Sequence, residues 1–93
     1  MELLSETEIR AKLGAIRGWA LEGKEIRKTR ELKDFARSIG FVASVALLAE
    51  KANHHPDIDI RWNKVTLALS THSAGGLTEK DFSLAAQIDG LPG

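Results

Sequence analysis

The residues best equipped for chemistry fall in one stretch, Glu50-Lys51-Ala52-Asn53-His54-His55-Pro56-Asp57. Two adjacent histidines follow a carboxylate one helical turn upstream, and a proline fixes the exit. Imidazole titrates near neutrality and serves as acid or base with little tuning. Glu50 and His54 are four residues apart, so on a continuous helix the carboxylate can orient or charge that ring. The third histidine, His72, also falls where an element is expected to give way to a loop, as functional groups on small scaffolds commonly do. The pair supports a second reading equally well, a helix C-terminus whose histidines satisfy free carbonyls and the helix dipole. Zinc held by the three histidines with Glu50, Asp57 or Asp59 is a further option. It is disfavoured because neighbouring rings at His54 and His55 diverge and no HExxH spacing is present.

Thr78 and Asp81 have capping-box spacing, which is sufficient reason for that aspartate without any active site. Trp19 and Trp62 alternate with polar neighbours, so both are expected to be half-buried, in the core or in a pocket wall. Strand parity groups His72 with Thr66, Ala68 and Ser70, provided the strand reaches that far.

The elements that must position these groups follow from periodicity. Ser5 and Glu8 form a capping box ahead of Ile9, Leu13 and Ile16, predicting a first helix from about Glu6 to Arg17. A short strand around Trp19–Glu22 turns at Gly23-Lys24 into a second strand, Glu25 to Leu32. Charges on both faces of that second strand suit an edge or a solvated strand that resists stray pairing. Asp34 to Asn53 is the strongest helix. Phe35, Ile39, Val42, Ala46 and Ala49 make one stripe, and Phe41, Val45, Leu48 and Ala52 make another. A helix so widely apolar is buried on more than one side. One sheet cannot cover both, so a second subunit is expected on the far side, with Phe41, Val45 and Leu48 among its contacts.

Pro56 is expected to end that helix. Ile58, Ile60 and Trp62 alternate with Asp57, Asp59 and Arg61 as a half-buried strand. Asn63-Lys64 turns the chain into Val65, Leu67 and Leu69, and Thr78 caps a last helix carrying Phe82, Leu84, Ala85 and Ile88. Hairpins imply antiparallel pairing. The fold class is therefore α+β, a two-layer sandwich with a four-stranded antiparallel sheet and three helices, in one domain spanning 1–93.

Composition excludes several functions. Cysteine is absent, which removes disulfide frameworks and thiol catalysis. Thirteen basic residues balance thirteen acidic ones without a basic face, so direct nucleic-acid binding is not expected. The longest apolar stretch, Ile39 to Ala49, is about half of the ~20 residues that span a bilayer. The first residues lack a signal-peptide pattern. A soluble, cytoplasmic protein is expected.

The pattern Glu50-x3-His54-His55-Pro56-x5-Trp62-x9-His72-x8-Asp81 resembles the signature of the pterin-4a-carbinolamine dehydratases. It fixes seven positions over about a third of the chain. Trp19 after a capped helix, Phe35 opening the long helix and Ala49-Glu50-Lys51 extend the similarity, and Asn53 departs from the aspartate of several relatives. The resemblance implies dehydration of 4a-hydroxytetrahydropterin to quinonoid dihydropterin, usually in tetrahydrobiopterin recycling, without metal, nucleotide or electron carrier. It assigns His54 and His72 as the acid–base pair, one on each face of the ring, and His55 to holding substrate. Glu50 and Asp81 would orient or bind, and Trp19 would help wall the pocket. It also implies a different class of role, because members of the family serve as dimerisation partners of a homeodomain transcription factor. A homodimer or homotetramer, through helix 34–53 and a sheet edge, is expected in either case.

Overall fold

The computed structural model describes residues 2–92. Helix α1 spans Glu6–Leu13, strand β1 Ala20–Glu22, β2 Glu25–Glu31, helix α2 Phe35–Ala52, β3 Asp57–Arg61, β4 Lys64–Leu69 and helix α3 Glu79–Asp89, with a single 3-10 turn at His72–Ala74. All strand pairs are antiparallel, in the order β1-β2-β4-β3. The expected α+β sandwich is thus present. Val65, Leu67 and Leu69 of β4 and Ile26 of β2 pack against Phe41, Val45 and Ala49 of α2 and Phe82, Leu84, Ala85 and Ile88 of α3.

Several local expectations are corrected. Helix α1 ends at Leu13 rather than Arg17; Gly14 caps it, with its N–H on the carbonyl of Arg10. Strand β2 is interior, paired on both sides, and its charges are accommodated individually. Lys28 reaches Asp89, while Arg30 lies 4.9 Å over the Phe41 ring and donates to the carbonyl of Leu91 at 3.0 Å. The free edges are β1 and β3. On β3, Ile58 is exposed and Ile60 only partly covered, so the alternation there marks a face at the margin of the helical layer. Trp62 is not half-buried: it sits in the β3–β4 turn with φ 54°, 70% exposed. That turn uses Trp62-Asn63 rather than Asn63-Lys64, because Asn63 is clamped to Leu32. The N–H of Leu32 donates to the Asn63 carbonyl at 2.7 Å, and Asn63 Nδ2 donates to the Leu32 carbonyl at 3.1 Å.

The long helix shows one apolar stripe inside and another outside. Ser38, Phe41, Val45 and Ala49 are buried, whereas Phe35, Ile39 and Leu47 are exposed, Leu47 at 74%. Phe41 and Val45 therefore belong to the chain's own core, and the outward surface is the Phe35–Ile39–Leu47 side.

Asp89, at the C-terminal end of α3, gathers three donors. The backbone N–H of Arg17 reaches Oδ2 at 3.0 Å, and Trp19 Nε1 and Lys28 Nζ reach Oδ1 at 2.9 and 2.8 Å. Burial opposes its ionisation, but the N–H of Arg17, Lys28 and Trp19 outweigh it, and the carboxyl sits below its ordinary value. Its stabilisation is complete above the unfolded carboxyl pKa of about 4 and is lost as pH falls through the lower folded value. Asp89→Asn should destabilise the protein by about 2 kcal/mol at pH 7. That deficit should shrink as pH drops below about 4, measured by urea unfolding across a pH series.

Candidate active site

Helix α2 ends by a local backbone device, not at Pro56. Asn53 takes the left-handed conformation (φ 50°, ψ 46°), the N–H of Asn53 bonds the Glu50 carbonyl, and the N–H of His54 bonds the Ala49 carbonyl at 3.0 Å. This is the Schellman arrangement, and asparagine is among the few non-glycine residues that tolerate it. The left-handed residue breaks helical register, so His54 and His55 leave on different sides. His54 is buried and His55 is exposed.

The break also reassigns the carboxylates. Glu50 does not meet His54; it pairs with Nε2 of His55, five residues on. The partner of His54 is Asp81, with 2.6 Å between Nε2 and Oδ1. Asp81 is fully buried, and its other oxygen accepts from Thr71 Oγ1 at 2.9 Å and from the N–H of Thr78 at 2.9 Å. The capping box and the contact with the histidine are therefore both real, one for each carboxylate oxygen. Being sealed, Asp81 can orient His54 but cannot touch a ligand.

Strand β4 ends at Leu69, short of His72. Thr71 bridges to Gly76, and His72 opens the 3-10 turn, exposed, and lines the same hollow as the other two rings. Strand parity thus does not reach His72. The hollow has a volume of about 410 Å³ and is lined by all three histidines together with Asn53, Ser70, Thr71, Ser73 and Lys80. Pockets of this size hold small organic ligands.

Trp19 is not among the lining residues. It is buried, with its indole on Asp89 at the far end of α3 from Asp81, so it does not wall the hollow in this chain. Thr71 and Lys80 were not singled out from the sequence, although each adjoins a residue that was. Lys80 has no carboxylate partner among the described residues and lines the hollow. Among the described residues no three His, Asp or Glu side chains gather as a metal cluster would require.

Comparison with known proteins identifies the family. A family model for pterin 4 alpha carbinolamine dehydratase matches residues 2–91. A chain of Roseiflexus castenholzii, provisionally named a pterin-4-alpha-carbinolamine dehydratase, is 64% identical over 94% of both chains. One of the same provisional name from Chloroflexus aurantiacus is 58% identical over the whole of both. The solved structure of a transcriptional coactivator/pterin dehydratase from Brucella melitensis superimposes with a TM-score of 0.87 at 39% identity, covering 91% of this chain and 93% of that one. A pterin dehydratase-like protein described as a RuBisCO assembly factor in the alpha-carboxysome matches at TM-score 0.66 and 25% identity, over 78% of this chain and 87% of that one. The chain belongs to the pterin-4α-carbinolamine dehydratase family.

Because one left-handed residue separates the two rings, Asn53→Gly should keep stability within roughly 1 kcal/mol of wild type. Asn53→Val should cost about 1–2 kcal/mol, since a β-branched residue resists that conformation. Thermal unfolding of the two variants checks the contrast.

Proposed function

We propose that this protein is a hydro-lyase that removes water from a 4a-hydroxytetrahydropterin, giving the quinonoid dihydropterin, as in tetrahydrobiopterin recycling. The observation that carries the reading is the convergence of His54, His55 and His72 on one hollow large enough for a flat bicyclic ring, with His54 backed by a buried carboxylate.

The reaction needs a proton on the departing 4a-hydroxyl and loss of the N5 proton, while the N5 lone pair forms the C4a=N5 double bond and the C–O bond breaks. His54 and His72 serve as the acid–base pair, one on each face of the ring. His55, tethered to Glu50, holds substrate, and Asp81 orients His54. Positioned acid–base catalysis of this kind contributes about 10²–10⁴-fold. No metal, nucleotide or electron carrier enters the reaction as written. An exchange of protons within one substrate suits a cytoplasmic enzyme, and no helix among the described residues is long and apolar enough to cross a membrane.

The comparison proteins include a coactivator and an assembly factor, so a partner-binding role is the alternative. The complete histidine set favours the enzyme, because an adaptor has no use for three imidazoles around one cavity. The chain also self-associates, as a dimer or tetramer, through the outer face of α2 and an open sheet edge. Phe35, Ile39 and Leu47 on that helix form the exposed apolar surface that supports this.

His54→Ala and His72→Ala should each lower the dehydration rate of an enzymatically generated 4a-carbinolamine by at least about a hundredfold; rates equal to wild type in both would remove the assignment. Sedimentation at micromolar concentration should give a species heavier than one chain, and Leu47→Glu should reduce it to the monomer.

A further inference from the structure

Thr71 stands at the end of a directional chain of hydrogen bonds. Its hydroxyl donates to Asp81 Oδ2 at 2.9 Å, so its proton is committed. The 2.8 Å contact between the Thr71 and Thr78 hydroxyls must then have Thr78 as donor. Thr78 Oγ1 in turn accepts from the N–H of Lys80 at 3.3 Å. Asp81 thereby receives Thr71 O–H and Thr78 N–H on Oδ2, leaving Oδ1 for His54 Nε2 at 2.6 Å. Thr71, Thr78 and Asp81 are all buried, with Asp81 and Thr78 wholly inaccessible, so water cannot substitute for a missing donor at little cost.

An acceptor held this way admits only a donor on its free side. His54 must carry its proton on Nε2 when neutral, and Nδ1 is then the lone-pair nitrogen. Nδ1 has no protein partner among the described residues. The sealed side-chain polar atoms without a partner lie elsewhere, on Arg27 and Asn63. Nδ1 is therefore open to the hollow that His54 lines.

We infer that Asp81 locks His54 in the Nε2–H tautomer and makes Nδ1 the nitrogen that exchanges protons with the ligand, with Thr71 a positioning residue that holds the carboxylate against the ring. The assignment of a reacting nitrogen rests on the dehydratase reading; the tautomer lock does not. Thr71 contributes orientation: with its hydroxyl gone, Oδ2 keeps only the Thr78 N–H, so the carboxylate still accepts from Nε2–H but no longer holds the ring at one angle.

The test reads tautomers directly, by long-range ¹⁵N–¹H correlation of histidine-labelled protein at pH 8, beside steady-state dehydration kinetics. Wild-type His54 should be in the Nε2–H form. Thr71→Val should keep the Nε2–H tautomer, because either carboxylate oxygen only accepts, and should lower kcat about tenfold with KM within about twofold, in line with the 10–100-fold effects of residues that orient reacting groups from behind. Thr71→Ser should restore kcat. Asp81→Asn supplies an independent arm. Its amide oxygen can replace Oδ2 for Thr71 and Thr78, which turns the NH₂ toward His54 and should invert the ring to the Nδ1–H form, the wrong-tautomer loss known from catalytic triads. A wild-type His54 in the Nδ1–H form overturns the proposal. So does a folded Thr71→Val protein with wild-type kcat, or an Asp81→Asn protein whose tautomer is unchanged. The predicted tautomer pattern in a protein without dehydratase activity would sustain the lock and overturn the dehydratase reading alone.

Discussion

A carboxylate with no access to water must find its donors inside the protein, and Asp81 sets the geometry around it for that reason. Burying an ion without partners costs several kcal/mol, whereas one that accepts from several well-aligned groups is tolerated. Asp81 finds three, and each comes from a different part of the chain: His54 after α2, Thr71 after β4 and Thr78 at the start of α3. Satisfying one side chain therefore brings the exits of two elements to the entry of a third. The hollow is the space left where these three ends meet, and the N-terminus of α3 adds the favourable end of its dipole to the same carboxylate.

A second carboxylate pins the other end of the same helix. Asp89 takes the backbone of Arg17, the indole of Trp19 and the ammonium of Lys28, so the segment between α1 and β1 is anchored to the C-terminus of α3. Asp81 and Asp89 lie eight residues apart on this eleven-residue helix, roughly 12 Å along its axis. This separation explains why Trp19 lies away from the histidines. It also explains how Lys28 and Arg30 can sit on the helix-facing side of an interior strand: each cation meets an acceptor or an aromatic face at the end of the helical layer, and neither is left bare in the core.

What the sequence made legible divides along the range of the interactions. Both capping boxes, the strong helix from Asp34 to Asn53 and both hairpins depend on residues at most a few positions apart, and the element order followed from them. Convergence of the three histidines could be anticipated because all lie at element ends. The errors arose where a single backbone angle or a distant partner decides the outcome. Helical spacing joins Glu50 to His54 only while the helix continues, and the left-handed Asn53 cancels it one residue too soon. Parity buries Trp62 only if the strand includes it, but Asn63 is held by Leu32 from 31 residues away and draws the turn forward. Periodicity offered two apolar stripes on α2, and the expectation that Phe41 and Val45 face outward failed because both are apolar and spacing alone does not orient the helix on its sheet. Position relative to the sheet selected Phe41 and Val45. Thr71 gave no signal at all, because a threonine beside a strand end is ordinary until its hydroxyl is seen against a buried acid.

The proposed dehydration would ask different things of different histidines, and their three environments differ. His54 is enclosed and backed by a fixed acceptor, which holds its ring in one orientation. His55 is exposed and paired with an exposed Glu50, a contact that surface ion pairs hold only weakly and that a ligand can displace. His72 stands exposed on a three-residue 3-10 turn and makes no side-chain hydrogen bond to the protein among the described residues, which leaves both ring nitrogens available. In the proposed dehydration, a ring held by a fixed acceptor and a ring with both nitrogens available would form the acid–base pair, and the buried Asp81 serves twice, capping α3 through one oxygen and orienting His54 through the other.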